Sequence, residues 1–339
     1  MRTLQILFVL LLTTVSAILS SCESTTTPPS GNATFTDSTL FILSEGGFQK
    51  NNAELDGYSF RKDSLTKNII TPLGDIGNDI QIFGKRIYVV LENSNKILSV
   101  NPDSSADHVP ISFPQGSTPY NMARLSSNEV WVSELYGKQI AVVNTNLNTL
   151  STPIPIDTSL AFITIFNGKA YLLTNANKLE VLDVATKNVL SNKYIGDYPA
   201  QIVVDSARNV IIILTYGDAY VAKTLAKILW VDANTYMVKD SITIPSADFV
   251  NQIIPAGNKA FLTYGNRLDI LDLATHKISA FSTQAYYKGI YDPSTNQLIV
   301  GKGSATASGV VDIVDASNGA IKKTLSSGIL PGHFVIYRK

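Results

Sequence analysis

Cysteine, histidine and charged residues are scarce in this sequence of 339 residues. Its one cysteine, Cys22, excludes an intramolecular disulfide. The three histidines, His108, His276 and His333, stand far apart and form no His-x-x-His pair, so a zinc or haem site has little support. Lys plus Arg and Asp plus Glu number 27 each, which leaves no basic field to attract nucleic acid. We therefore expect no metal, no cofactor and no nucleic-acid partner.

What the sequence does contain is a sevenfold repeat of short apolar runs. The runs begin at spacings of 47, 43, 40, 40, 50 and 38 residues, at Leu40, Ile87, Val130, Ala170, Val210, Ala260 and Leu298. Six of the seven are followed by a second run that ends in a turn rich in Asp, Asn, Ala and Thr. A repeat of about 40–45 residues with several short strands is typical of a β-propeller blade. The sequence therefore predicts an all-β fold, a seven-bladed β-propeller with four antiparallel strands per blade.

The two ends of the chain are predicted to share one blade. The chain enters the propeller at Leu40 with what matches a second strand, so the first blade lacks its innermost strand. Residues 330–337 repeat the pattern of residues 198–203, which opens an inner strand elsewhere. We expect this C-terminal strand to close the ring and to cover two strand edges. Residues 303–309 are expected to form a long loop between a second and a third strand.

The N-terminus is typical of a bacterial lipoprotein. Arg2 precedes an apolar stretch at residues 4–12, and small residues at 20–21 precede Cys22. In such a segment the cysteine becomes the first mature residue and carries the lipid. The alternative is an ordinary signal peptide or an uncleaved anchor with an incidental cysteine, although the apolar stretch is short for a membrane span.

Three segments follow from this interpretation. Residues 1–21 are the lipoprotein signal peptide, residues 22–35 are the lipidated cysteine and a flexible polar tether with nothing to bury, and residues 36–339 are the propeller. One predicted partner is then a lipid membrane, bound through an acyl anchor on Cys22.

The repeats at residues 179–186 and 268–275 resemble the blade repeats of the YVTN family. With the opening 40–48 and the closing 328–334, they resemble propeller lipoproteins of Bacteroidetes-like bacteria, often called surface-layer or YncE-like proteins. The resemblance covers essentially the whole mature chain but says little of the ligand, because blade consensus residues mainly pack and turn. Some members of this group capture vitamin B12 and pass it to an outer-membrane transporter. The resemblance thus implies an outer-membrane lipoprotein that faces the periplasm or the cell surface, a corrinoid ligand and a transporter partner.

Bulky and polar side chains recur where one blade leads into the next, and we expect them to surround one mouth of the central channel. The starts of the inner strands carry Tyr120, Phe162, Tyr198, Phe249, Tyr286, Tyr287 and His333. The loops between second and third strands carry Glu92, Asn93, Glu134, Tyr136, Tyr216 and Tyr264. An aromatic bowl with scattered amides and acids suits a large, flat, amphipathic ligand. For each single aromatic, packing between blades explains its presence equally well.

Three functions are compatible with these features. The first is a non-catalytic, lipid-anchored protein that captures a corrinoid. The second is a surface scaffold that holds a protein or a glycan with the same face. The third is a propeller enzyme of the lactonase or quinoprotein type, against which the absence of histidine clusters and of a metal-ligand set counts. A carboxylate pair drawn from Asp75, Asp79, Glu92 and Glu134 stays open, but we expect the protein not to be an enzyme.

Overall fold

Every regular element in the described part of the chain is a β-strand. The computed structural model describes residues 26–27, 33–245 and 249–339, and the predicted signal peptide and lipidation site at Cys22 lie outside these ranges. The strands form one five-stranded and six four-stranded sheets. These sheets are the blades of a seven-bladed β-propeller, which confirms the predicted fold. No helix in the described ranges is long and apolar enough to cross a membrane.

Blade 1 joins the two ends of the chain, whereas blades 2 to 4 are each continuous in sequence. Blade 1 contains, from the channel outward, β29 (Pro331–Tyr337), β2 (Thr39–Ser44), β3 (Glu54–Ser59), β4 (Ser64–Thr66) and β1 (Thr26–Thr27). Blade 2 contains β5 (Gly77–Phe83), β6 (Arg86–Leu91), β7 (Lys96–Asn101) and β8 (Ser104–Ser112). Blade 3 contains β9 (Pro119–Arg124), β10 (Glu129–Glu134), β11 (Gln139–Asn144) and β12 (Thr149–Pro155). Blade 4 contains β13 (Leu160–Phe166), β14 (Lys169–Thr174), β15 (Lys178–Asp183) and β16 (Val189–Tyr194).

Blades 5 to 7 repeat the same order of four strands. Blade 5 contains β17 (Pro199–Asp205), β18 (Val210–Thr215), β19 (Lys227–Asp232) and β20 (Val238–Thr243). Blade 6 contains β21 (Val250–Ala256), β22 (Lys259–Tyr264), β23 (Leu268–Asp272) and β24 (Ile278–Ser282). Blade 7 contains β25 (Gly289–Asp292), β26 (Gln297–Ser304), β27 (Ala307–Asp315) and β28 (Ile321–Ile329).

Apolar side chains fill the space between neighbouring blades. The second strand of a blade is buried on both faces, and β18 accordingly reads Val-Ile-Ile-Ile-Leu-Thr with all six residues buried. Seven clusters of buried apolar residues lie between adjacent blades, one at each interface. The outer strands β16 and β20 are largely exposed. The repeat in the sequence is therefore the repeat of this interface.

The C-terminal strand closes the ring, as the sequence predicts. β29 pairs antiparallel with β2, from Thr39 opposite Tyr337 to Ser44 opposite Pro331. Pro331 enters beside two glycines of blade 7: a Cβ on Gly301 would overlap the Pro331 carbonyl oxygen, and a Cβ on Gly309 would lie 2.7 Å from its Cδ. We call the interface between blades 7 and 1 the seam.

Two boundaries differ from the prediction. Ala33 and Phe35 are buried, and the Phe35 ring packs edge-on against Phe41 at 5.2 Å, so the packed domain begins by Ala33 rather than at residue 36. The predicted loop at residues 303–309 is wrong as well. β26 and β27 continue through most of it, with Ser304 opposite Ala307, so only a tight turn joins them.

Candidate functional site at the mouth of the channel

The inner strands share an irregularity where they begin. Six of the seven have a register shift within their first residues, as in β5 between Gly77 and Asp79. An extra residue at such a shift bends the strand and changes the direction of its side chains. Polar side chains follow the shift in five of these strands: Asp79, Asn121, Gln201, Gln252 and His333.

These polar side chains bond the inner strand of one blade to that of the next. Asp79 Oδ2 accepts hydrogen bonds from Asn121 Nδ2 at 3.1 Å and from Met122 N at 2.9 Å. Equivalent bonds run from Ile163 N to Asn121 Oδ1 (3.0 Å), from Ile253 N to Gln201 Oε1 (2.7 Å) and from Gly289 N to Gln252 Oε1 (2.6 Å). These side chains therefore hold the inner strands of the channel wall together, and their hydrogen-bonding groups are already used within the protein.

A charged cluster completes the wall at the seam. Glu45 Oε1 accepts from Lys288 Nζ at 2.7 Å, from the Tyr287 hydroxyl at 3.0 Å and from His333 Nε2 at 3.2 Å. Burial alone would raise the pKa of Glu45, but Lys288 and His333 outweigh it and lower that pKa to about 2. Burial together with the Lys288 charge lowers the pKa of His333. At neutral pH the cluster therefore holds a Glu45 carboxylate, a Lys288 ammonium and an uncharged His333.

These walls enclose a cavity of about 1150 Å³ at the mouth of the channel. The structure brings together in its lining seven of the predicted site residues: Tyr120, Phe162, Tyr198, Tyr216, Phe249, Tyr287 and His333. Side-chain amides on the same wall include Asn175, Asn177 and Asn251. The cavity is thus lined by phenols, phenyl rings, amides and aliphatic side chains, with the Lys288 ammonium, the Asp79 carboxyl and, at the end of β9, the Arg124 guanidinium.

The aromatic residues of the lining form two pairs and a rim. Tyr120 meets Phe162 edge-on with ring centres 5.4 Å apart, and Tyr216 meets Phe249 at 4.4 Å. Tyr198 and Phe249 are 58 % and 53 % exposed. Because neither of the two is buried between blades, their apolar surface is free to contact a ligand.

Six predicted residues lie outside the cavity lining. Tyr264 and Tyr286 are each only 2 % exposed, and they pack among apolar side chains between blades, so neither can contact a ligand here. Glu134 is also buried and accepts a hydrogen bond from Gln139 Nε2 at 3.0 Å. Tyr264 and Tyr286 thus pack between blades, and Glu134 is withdrawn from the mouth although it is an acid at the end of a strand.

The other three occupy loops beside the mouth. Asn93 Nδ2 donates to Asp75 Oδ2 at 2.7 Å, and Glu92 accepts from Asn78 Nδ2. Tyr136 is 72 % exposed on the loop after β10 but does not line the cavity. In the described residues, no group of three or more His, Cys, Asp or Glu side chains could hold a metal ion.

Sequence reasoning missed the central pair of the cavity wall. Lys288 follows the aromatic pair at residues 286–287, and Glu45 ends the first apolar run, yet nothing local marks either as a site residue. The position of Lys288 could have identified it, because a lysine among aromatic residues at the start of an inner strand points either to the channel or to the next blade.

Comparison with known proteins supports the fold alone. No family model matches the chain, and no curated protein matches it. Among solved structures, a Lactobacillus plantarum protein has a TM-score of 0.66 and 12 % identity, over 89 % of this chain and 99 % of that one. Hydrazine synthase from Kuenenia stuttgartiensis has a TM-score of 0.65 and 12 % identity, over 78 % and 95 % of the two chains. The dihydro-heme d1 dehydrogenase NirN has a TM-score of 0.56 and 10 % identity, over 87 % and 74 %.

These similarities correct one expectation. The prediction that the protein is not an enzyme was wrong as an inference from these features, because hydrazine synthase and NirN are enzymes whose structures match 78 % and 87 % of this chain. At 10–12 % identity they show no specific catalytic function for this chain.

Proposed function

We propose that the protein is a binding scaffold that takes up a bulky amphipathic molecule at the mouth of its channel. The observation that carries the proposal is the cavity of about 1150 Å³ with exposed aromatic side chains on its rim. Large concave sites with apolar walls and a few fixed polar groups are typical of small-molecule binding. The specific ligand that we propose is a corrinoid, whose flat ring would stack on Tyr198 and Phe249 while its peripheral amides meet the amides of the wall.

We further propose that the protein is anchored to the outer membrane through lipid on Cys22. The position of Ala33 supports this arrangement. Its backbone exchanges hydrogen bonds of 3.0 Å with Ser105, beside the turn between β7 and β8. β5 starts at the mouth, β6 returns to it and β7 leads away again, so this turn lies on the face opposite the cavity. A tether that joins the ring on that face leaves the mouth unobstructed.

Calorimetry with cyanocobalamin, and with cobinamide, which lacks the nucleotide loop, tests the ligand. Tyr198→Ala and Phe249→Ala each remove one exposed ring, and the loss of such an anchor typically costs about 2 kcal/mol, or roughly thirtyfold in affinity. Both variants should keep the melting temperature of the wild type, since the two rings are more than half exposed. Tyr136→Ala, outside the lining, is the matched control. Absence of binding heat with both corrinoids would contradict the corrinoid proposal.

A second candidate is a scaffold for a protein or a glycan. The loop between β18 and β19 favours it, because this loop presents Tyr220 and Val221 almost fully exposed beside the mouth. Asp218 fixes the loop by accepting hydrogen bonds from both backbone N–H groups at 2.9 Å. The double variant Tyr220→Ser/Val221→Ser should abolish capture of such a partner and leave corrinoid binding intact.

A further inference from the structure

Hydrogen-bond donors from three separate blades line the one cavity at the mouth of the channel. Tyr120 comes from blade 3, Tyr216 follows β18 of blade 5, and Lys288 precedes β25 of blade 7, and all three line the cavity. Burial opposes the charge on Lys288, but Glu45 and the phenol oxygens of Tyr120 and Tyr216 favour it, so the pKa of Lys288 is raised. The two phenols are thus close enough to act on the ammonium group. We call these three side chains the axial donors.

The axial donors have O–H and N–H groups that are not fully used in hydrogen bonds within the protein. Among the described residues the Tyr120 hydroxyl has no hydrogen-bond partner, and the Tyr216 hydroxyl reaches only the Asn251 carbonyl, at 3.4 Å. Burial raises the pKa of Tyr120 to about 12, so its hydroxyl keeps its proton at neutral pH. Lys288 has three N–H bonds and gives one to Glu45 at 2.7 Å. His333 Nε2, 3.4 Å away, donates its own hydrogen to Glu45 and so cannot accept a second from Lys288. An acceptor that enters the cavity would meet several free donors.

The positive charge of the axial donors is balanced by neighbouring groups. Glu45 cancels the charge of Lys288, and its oxygens already accept from Lys288, Tyr287 and His333. His333 is uncharged, because burial and Lys288 lower its pKa. Asp79 lies in the same wall, and Glu92 is near enough to act on Tyr120, although burial raises the pKa of both carboxyls. Arg124, the other cation of the lining, stands four residues from Tyr120 at the end of β9, where its Nε donates to the Ser126 carbonyl at 3.1 Å. A ligand carboxylate at the axial donors would therefore face nearby carboxylates while the Lys288 charge is already offset by Glu45, which costs free energy in a partly buried site.

We propose that the axial donors recognise an uncharged acceptor oxygen, the carbonyl of an amide or ketone on an apolar ring, and discriminate against carboxylates. This inference rests on the proposed binding function and specifies its ligand class. A neutral carbonyl gains the same hydrogen bonds as a carboxylate but brings no second negative charge beside Glu45. The aromatic pairs of the lining then contact the ring that carries the carbonyl.

A matched pair of probes tests the proposal on the mature chain. 2-Naphthamide and 2-naphthoate share one flat ring system and differ in the charge of the acceptor group. At pH 7 we expect the amide to bind at least about tenfold more tightly, measured by calorimetry or saturation-transfer NMR. Tyr120→Phe keeps the ring and removes one donor, so it should weaken naphthamide binding about fivefold to tenfold and leave naphthoate binding unchanged. Its melting temperature should equal that of the wild type, because the hydroxyl has no partner to lose.

Tyr136→Phe removes a hydroxyl outside the lining and serves as the control. Naphthoate binding as tightly as naphthamide would overturn the inference, and so would equal losses of both probes, or no loss of either, in Tyr120→Phe. Absence of binding by both probes would also overturn it. In each of these cases the cyanocobalamin titration still decides the proposed function separately.

Discussion

Lys288 Nζ lies 2.7 Å from Glu45 Oε1, although 243 residues separate the two in the sequence. The pair crosses the seam, since Glu45 follows β2 of blade 1 and Lys288 precedes β25 of blade 7. Both side chains are mostly withdrawn from solvent, at 12 % and 23 % exposure. Lys288 lines the cavity and Glu45 supports its wall, so one ion pair contributes both to the seam and to the candidate site.

Lys288→Met should destabilise the fold strongly. The substitution keeps the length of the side chain but leaves the Glu45 carboxylate buried without its cation, which typically costs about 3–5 kcal/mol. Glu45→Gln/Lys288→Met removes both charges and should recover most of that loss. Urea denaturation of the mature chain measures the difference. A single variant as stable as the wild type would show that solvent, rather than Lys288, compensates the Glu45 charge.

Glu45 should also make stability depend on pH in the acid range. Its pKa is about 2 in the fold against an ordinary 4.5, so the stabilisation is complete above about pH 4.5 and is lost as the pH falls toward 2. A pKa shift of this size corresponds to about 3 kcal/mol of stabilisation of the folded state. Glu45→Gln should flatten the pH dependence of the unfolding free energy within this window. Parallel curves for the two proteins between pH 2 and 4.5 would contradict the assignment.

Asp56, also at the seam, should have the opposite effect. Burial raises its pKa from 3.8 to about 6, despite hydrogen bonds from Asn68 N at 2.9 Å and Ser327 Oγ at 3.2 Å. The folded state therefore holds the proton more tightly than the unfolded state, and stability falls as the pH rises from about 4 to 6. Asp56→Asn should be more stable than the wild type by about 2 kcal/mol at pH 7.5, but should not be more stable at pH 3.5. Asp157→Asn, at an exposed site, is the control, and a less stable Asp56→Asn at pH 7.5 would refute the prediction.

Deletion of residues 328–339 should open the ring. It removes β29 and leaves one edge of β2 unpaired, together with the apolar surface that Phe334 covers. We expect a much lower melting temperature and aggregation through the free strand edge, measured by calorimetry and light scattering. Removal of Lys339 alone is the control and should have little effect. An unchanged melting temperature in the long deletion would mean that β29 does not stabilise the ring.

Lipidation can be tested at Cys22. Intact-mass analysis of the membrane fraction should show cleavage before this cysteine and an added lipid, while Cys22→Ala should remain unprocessed or be released. Ser21→Ala keeps a small residue before the cysteine and should be processed normally. An unmodified Cys22 in the wild type would remove the anchor, and with it the proposed location.

The fold could be predicted from the sequence because each blade repeats the same interface, but the site could not be predicted with equal success. Tyr286 and Tyr287 illustrate the reason. Successive residues of an extended chain point to opposite sides, so Tyr286 is buried between blades while Tyr287 lines the channel. In the six inner strands that begin with a register shift, the shift decides which residue faces which side, and composition does not reveal it. Glu45 and Lys288 could not be identified from the sequence, because each becomes part of the site only by pairing with the other across the seam.

The glycines beside Pro331 restrict how such a ring could be rearranged. Gly301 and Gly309 leave room for the entering C-terminal strand, and side chains at these positions would block it. The blade that contains them is therefore specialised to receive the end of the chain, even though its strands match those of the other six. We infer that the repeats are alike in architecture but not exchangeable as modules: a circular permutation that moved the chain ends to another blade would have to carry these two glycines with it.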